Sequence, residues 1–243
     1  MHIIKLDAID STNSYLRQLS VTEAIEDFTV AVANHQTKGR GQMGTQWSSQ
    51  ASKNLMVSVF KDVSFLNLEH HFFISIAVSL SILEALESFN IKNLKVKWPN
   101  DILSENKKIG GILIENVIKQ AKINATIIGF GVNVNQTEFD HLPQASSMRL
   151  ISGRVYELEE VLQAILVKLE QYFKILEQKQ FEILKTAYEN QLFRKDKPST
   201  FRDTDGHLFS GYIKGVSNSG NLLIMVEDDI IKEFGLKAVT LLY

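Results

Sequence analysis

The stretch Asn34–Trp47, NHQTKGRGQMGTQW, lies between two β-like runs, Phe28–Ala33 and Leu55–Phe60, and limits the possible folds more than any other part of the chain. Three glycines in six residues, Gly39, Gly41 and Gly44, let the backbone turn with φ > 0 and come close to a ligand. The letters fit G-x-G-x-x-G, but a dinucleotide-binding turn must open a helix. Thr45–Asn54, TQWSSQASKN, has no apolar 3.6-residue period, so a doubly wound dinucleotide fold is excluded. Neither HRD nor DFG follows, and no G-x-x-x-x-G-K-[ST] occurs, which removes kinase and P-loop chemistry. A plain connection remains open, as does an anion site. Lys38 and Arg40 stand between the glycines, and no acidic residue occurs from Asp27 until Asp62. A basic loop with free N–H groups suits a phosphate or carboxylate.

At 243 residues the chain is long enough to bury one large domain, or a large and a small one. Its 44% hydrophobic and 22% charged content is that of a soluble globular protein. A formal net charge of -2 gives no global attraction to nucleic acid or anionic membrane, so any basic site is local. There is no cysteine, which excludes disulfides, thiolate metal sites and cysteine catalysis and suits a reducing cytoplasm. The start, MHIIKLDAIDSTN, lacks a basic region followed by an apolar one, and no apolar run nears ~20 residues. We therefore expect no secretory signal and no membrane span.

In chain order, His2–Leu6 reads as a strand, and an amphipathic helix runs from Ser11-Thr12-Asn13 through Leu19. That triplet caps a helix well and equally offers hydroxyls and free N–H groups to a polar ligand. Phe73, Ile76, Leu80 and Leu83 put His70–Phe89 on a helix with a face to bury. Strand-like runs follow at Leu94–Trp98, Asp101–Ser104, Ile109–Ile118 and Ile123–Asn135. Glu157–Glu177 is the clearest helix, and another runs from Phe181 to before Phe193. Beyond it come short alternating runs broken by Asp205-Gly206 and Ser219-Gly220. This pattern predicts an α+β fold, a mixed sheet layered with helices over residues 1–192, and a small β module over 193–243.

Polar residues gather in three places. Lys97–Asp101 reads KWPND, where Pro99 ends a strand and should place Asn100 and Asp101 on a turn. A carboxylate there could hold Mg²⁺ with the help of phosphates. Lys107–Glu115 reads KKIGGILIE, and two glycines inside an apolar strand mark a bulge or the close approach of another group. Gly129–Asn135, GFGVNVN, repeats the device. Together these segments suggest a polar pocket the size of a nucleotide.

The set DSTN, Q-x-x-G-R-G, Trp47, KWPND, KIGGILIE and GFGVNVN, in this order over Asp10–Asn135, resembles the biotin–protein ligase family. The resemblance implies a class II synthetase-like catalytic domain with an SH3-like C-terminal β-barrel. It implies an enzyme that couples biotin to ATP as biotinyl-5′-AMP and passes the biotin to a lysine of a biotin carboxyl carrier protein in the cytoplasm. ATP with Mg²⁺ and biotin would be substrates, with no permanently bound cofactor. The catalytic residues would be Lys108, Arg40 and Asp101, with Asp101 also the magnesium ligand and a proton acceptor for the incoming lysine. Ser11, Thr12, Asn13, Gln36, Gly39, Arg40, Gly41, Gln42, Trp47, Lys108, Gly110 and Gly111 would bind biotin. Arg40, Lys97, Asn100, Asp101, Lys108 and Asn133 would bind ATP. Bringing a carboxylate against a phosphate sets two anions face to face, so fixed positive charge from Lys108, Arg40 and Lys97 is what the reaction needs.

Many relatives have a second arginine where this loop has Gln42, so a charge-assisted bond to the phosphoryl group is missing. The chain starts at the first catalytic-domain strand, with no helix-turn-helix before it, so DNA binding is not expected. A lipoate–protein ligase shares the layout and the adenylation, and a non-catalytic biotin-responsive regulator is the rival of another class. The chain could be a monomer or a homodimer, with Leu94–Trp98 or Ile109–Ile118 as the pairing edge. His2, His35, His70, His71, His141 and His207 form no i, i+4 pair, and His35 reads as a solvated loop residue. The loop Thr37–Gln50 has little apolar content to hold it without ligand.

Overall fold

The computed structural model describes residues 1–140 and 142–243, so His141 lies outside the described residues. The first part of the chain runs β1 (His2–Ile9), α1 (Thr12–Thr22), β2 (Thr29–Gln36), β3 (Leu55–Asp62), α2 (Phe72–Ser88), β4 (Leu94–Lys97), β5 (Asp101–Ser104), β6 (Lys107–Lys119) and β7 (Lys122–Val132). Then come α3 (Met148–Ser152), α4 (Leu158–Glu177) and α5 (Phe181–Asn190). Strands β1 to β7 make one mixed sheet in the order β1-β2-β3-β7-β6-β5-β4, with β1 and β2 parallel and the other neighbours antiparallel.

Period-two alternation sends each strand's side chains to opposite faces. On β2 and β7, Val30, Ile128, Phe130 and Val132 face the main core with α2, α4 and α5, while Ala31 and Ile127 meet Leu16 of α1 on the other face. The large helices therefore cover one face and α1 only part of the other. Helix α4 buries Val161, Leu162, Ile165, Leu166, Leu169, Phe173 and Leu176, each contributing roughly 1.5–3 kcal/mol of apolar burial. Leu68–Ser88 is, against the sequence expectation, long and apolar enough to cross a membrane, but 72% of its window is buried and it forms the central layer of the core.

The last part holds β8 (Pro198–Asp203), β9 (Leu208–Val216), β10 (Leu222–Met225), β11 (Ile231–Phe234) and β12 (Val239–Leu242), an antiparallel sheet in the order β11-β10-β9-β8-β12, consistent with an SH3-like module. It is packed onto the first part. Phe193 N–H donates to Val96 C=O and the Trp98 indole N–H to Gly220 C=O (2.8 and 2.9 Å). Gly220, at φ +91°, leaves no room for a Cβ because the Phe72 ring lies against it.

Three expectations change. Of the two candidate edges, Ile109–Ile118 falls on β6, an interior strand between β7 and β5, while Leu94–Trp98 falls on β4, which does end the sheet, with β1 at the far side. His35 lies on β2, and its Nδ1 is buried without a partner, so it is not a solvated loop residue. Asp101 is the first residue of β5, opposite Lys97 and Gly111, rather than part of a turn. Pro99, after a cis bond from Trp98, leaves a connection short enough for the chain to re-enter the sheet at once.

Candidate active site

The face that α1 leaves uncovered carries a cavity of about 380 Å³. It is lined by Ser11, Thr12, Asn13, Gln36, Arg40, Gly41, Gln42, Trp47, Lys97, Asn100, Asp101, Lys108 and Gly111, all singled out from the sequence. Three others lie elsewhere. Gly39 borders an adjoining hollow under the loop. Gly110 faces Ile102, where strands β5 and β6 approach closely. Asn133 is buried, with its side-chain amide donating to Ser146 C=O at 3.0 Å.

Alternation along β7 explains the glycines. Ile127, Gly129 and Gly131 share one face, and the latter two remove side chains where the cavity lies. A Cβ at Gly131 would lie 2.5 to 2.9 Å from the Trp47 indole, and one at Gly111 would be 3.1 Å from it. Asn13 fills the corresponding space over Gly129. The group that needs these glycines is thus the chain's own Trp47, laid across β6 and β7. Its indole Nε1 is buried with no partner in the protein, which leaves a donor at the cavity wall.

The doubled glycine also coincides with a bulge. Ile102 pairs with Gly110 but Leu103 with Lys108, so Ile109 is an extra residue. In an unbroken strand residues 108 and 111 would point to opposite faces, and the extra residue brings both to the cavity. The Lys108 backbone is clamped by Gln144 C=O and Ser146 N–H (2.7 and 2.8 Å). Its ammonium reaches Asp101 at 2.6 Å, while Lys97 lies 3.9 Å from the same carboxylate.

At the other end the side chains are neutral, with Ser11, Thr12, Asn13 and Ser58 buried and Gln36 half-buried. Ser11 precedes α1 but makes no side-chain cap bond, so capping does not account for it. Thr12 N–H donates to Gln36 Oε1 at 2.7 Å, and the Ser58 hydroxyl lies within hydrogen-bonding distance of Thr12 Oγ1 and Asn13 Oδ1. Arg40 makes a two-pronged pair with Glu115 (3.1 and 2.9 Å). The loop itself is tied down: Gly41 N–H donates to Thr45 C=O and Trp47 N–H to Gly39 C=O.

Sequence reasoning missed Ser58, Glu115, Lys237 and the module residues Leu222 and Val239–Leu241, all but Ser58 and Glu115 lining the main cavity. Ser58 carried a signal, a lone polar residue within the apolar run Leu55–Phe60, and so did Glu115 at the end of KIGGILIE. Lys237 carried none. Among the described lining residues, Arg40, Lys97, Lys108 and Lys237 outnumber the one carboxylate, Asp101, and still do so when Glu115, just behind Arg40, is counted. The cavity is therefore cationic in a chain whose net charge is negative, which favours an anionic ligand at that end. Tyr243, whose ring covers Lys97 Nζ at 4.9 Å, has its phenol pKa pushed up by burial and by the Asp101 charge.

A model of the biotin/lipoate A/B protein ligase family matches residues 6–133, more than half of the chain. The bifunctional ligase/repressor BirA of Bacillus subtilis (strain 168) is 28% identical over 237 residues, 95% of this chain and 71% of that protein. A biotin–[acetyl-CoA-carboxylase] ligase of Mycobacterium tuberculosis is 29% identical over 163 residues, 66% of this chain and 59% of its own length. Among solved structures, the Aquifex aeolicus biotin protein ligase in complex with biotin and ATP superposes with a TM-score of 0.82 at 29% identity, covering 99% of this chain and 98% of that one. A biotin protein ligase-like protein from Silicibacter, 11% identical, shares the fold with a TM-score of 0.72. With the family model matching residues 6–133 and the layout of a solved biotin protein ligase shared over 99% of the chain, the chain belongs to the biotin/lipoate A/B protein ligase family.

Proposed function

We propose that the chain activates biotin with ATP to biotinyl-5′-AMP and transfers the biotin to a lysine of a biotin carboxyl carrier protein in the cytoplasm. The observation that carries this is one cavity with two unlike ends. Lys97 and Lys108 stand with Asp101 at one, and at the other are the buried Ser11, Thr12 and Asn13 and the half-buried Gln36, with Arg40 beside them through Glu115. A cyclic urea needs both donors and acceptors, which those side chains offer. A carboxylate and a triphosphate need the cations.

In the first step the biotin carboxylate oxygen attacks the α-phosphorus, and the bond to the pyrophosphate leaving group breaks. Lys108, between carboxylate and phosphate, offsets their repulsion, Arg40 closes the loop over the adenylate, and Lys97 meets the phosphates. In the second step the carrier lysine's amine attacks the biotinyl carbonyl and AMP leaves, while Asp101 takes the proton that the ammonium must lose. Trp47, laid across β6 and β7, stands beside the intermediate. Asp101 is the one carboxylate lining the cavity among the described residues, so magnesium would rest on it and on phosphate oxygens, which is how such sites are commonly built. The one cluster of three metal-capable groups among the described residues, Asp203, Asp205 and His207, lies elsewhere, on the β8–β9 turn. In this reading residues 1–192 form the catalytic domain and 193–243 a small module that walls the phosphate end.

The test is incubation with biotin, ATP, Mg²⁺ and an apo-carrier domain, with Lys108→Ala as control. Carrier labelled by the parent chain and not by the variant supports the reading, and no labelling by either overturns it. The family also includes lipoate ligases, and the pairing of KWPND with KIGG favours biotin. ATP–pyrophosphate exchange driven by lipoate and not by biotin would reverse that choice.

A further inference from the structure

Glu115 has no part in the reaction just described, yet it joins three elements. It projects from β6 on the same face as Gly111 and Leu113, and its side chain is only 17% exposed. Its two oxygens meet Arg40 Nη1 and Nη2 at 3.1 and 2.9 Å, and Asn13 Nδ2 donates to it at 2.8 Å. Arg17 of α1 stands 3.5 Å away. A carboxylate only accepts, so it dictates which way the Asn13 amide lies. The amide NH₂ must face Glu115, which leaves Oδ1 to accept the Ser58 proton; the Thr12 hydroxyl then donates to Ser58, and Gln36 Oε1 keeps the Thr12 N–H.

We propose that Glu115 is a positioning residue: it pins the glycine-rich loop to the sheet through Arg40 before any ligand arrives, and it sets the donor and acceptor pattern at the neutral end of the cavity through Asn13. The proposal rests on the ligase reading only for its second half. Around Arg40 the loop is glycines and polar residues, so apart from Trp47 seated on the sheet, a two-pronged guanidinium–carboxylate pair, with the carboxylate 17% and the arginine side chain 42% exposed, is what ties it there. The carboxylate that binds Arg40 is also the one that orients Asn13, so loop position and pocket polarity depend on the same side chain.

The substitution Glu115→Gln separates these duties. Its Oε1 still accepts from Asn13, but its neutral amide cannot hold the guanidinium with two charged bonds. Hydrogen exchange of the ligand-free protein reads the loop directly and needs no substrate, so its outcome is independent of the ligase assignment. Amides between Thr37 and Trp47 should exchange about three- to fivefold faster in Glu115→Gln, the size that a partly exposed ion pair supports. The β7 and α4 amides should be unchanged, as a check on the fold. In Arg40→Gln the same rise should occur, and adding Glu115→Gln to it should bring no further increase, because both remove one interaction. Additive effects, or no change in loop exchange, would overturn the pinning. For the second half, Glu115→Gln should raise KM for biotin about threefold or more with kcat in pyrophosphate exchange within twofold, and Glu115→Ala, which frees Asn13 as well, should raise KM further. A loss in kcat at constant KM, or equal KM in the two variants, would overturn the positioning role.

Discussion

Replacing Gly131 with alanine is the sharpest probe of how the site is shaped. The added methyl would stand 2.5 Å from Trp47 Cε2, 2.6 Å from Cζ2 and 2.9 Å from Nε1, against about 3.5–4.0 Å for relaxed carbon contacts. The indole must therefore withdraw by about 1 Å or more. The strand cannot move instead, because Gly131 is paired on both sides, with Met56 of β3 and Gly111 of β6. Overpacking of this kind costs about 1–3 kcal/mol. Trp47 sits on a loop and can leave, so most of the cost should fall on ligand binding and little on global stability. An equal loss in binding corresponds to about 5- to 150-fold. The chain has two tryptophans, so in a Trp98→Phe background the emission of Trp47 reports its position alone. Gly131→Ala should shift that emission to the red, raise its quenching by iodide, weaken biotin and biotinyl-AMP binding within that range, and leave the urea midpoint nearly in place. Unchanged Trp47 emission together with affinity within twofold would refute the idea that this glycine exists to seat the indole.

Asp101→Asn should slow transfer of biotin from supplied biotinyl-AMP by about 100-fold, the lower end of what general-base catalysis provides; a normal transfer rate would remove the base assignment. Gln42→Arg should retain the adenylate longer by about 1–2 kcal/mol, the difference between a neutral and a charged hydrogen bond, and stopped-flow dissociation no slower than in the parent chain would refute it. Lys61, whose side chain is 5% exposed, reaches Asp27 at 2.7 Å and Glu177 at 3.0 Å. Burial is the largest single influence and lowers its pKa, but the hydrogen bonds and charges of the two carboxylates together exceed it, so the folded value lies above 10.5. The folded chain then holds the proton more tightly than the unfolded one. The resulting stability is complete below about pH 10.5 and is lost as pH rises through the folded value. Urea midpoints should therefore fall more steeply at alkaline pH in the parent chain than in Lys61→Met, and parallel profiles would contradict this.

Local pattern was enough to find α2, α4 and α5, the strands from β1 to β7 within a few residues, and the six motifs that carry the family resemblance. Each depends on residues near one another in the chain: a 3.6 or two-residue period, a proline, a pair of glycines. The short helix α3, with Ser147 accepting from Leu150 N–H as its cap, was too brief to show a period. What only the tertiary structure decided is which distant groups meet. Glu115 and Arg40 are 75 residues apart and Ser58 and Asn13 are 45 apart; they meet because β3 lies beside β7, not beside β4, a strand order that no local signal encodes. The bulge at Ile109 and the wall supplied by Leu236, Lys237 and Val239 likewise follow from packing across the sheet and from the docking of the second sheet. Residue types near in sequence pointed to an anion-suited loop and a polar pocket of nucleotide size, and the motifs together to the family resemblance. The geometry that aims Lys108, seats Trp47 and ties Arg40 to Glu115 came from long-range strand pairing, where burial and hydrogen-bond satisfaction are settled for the molecule as a whole.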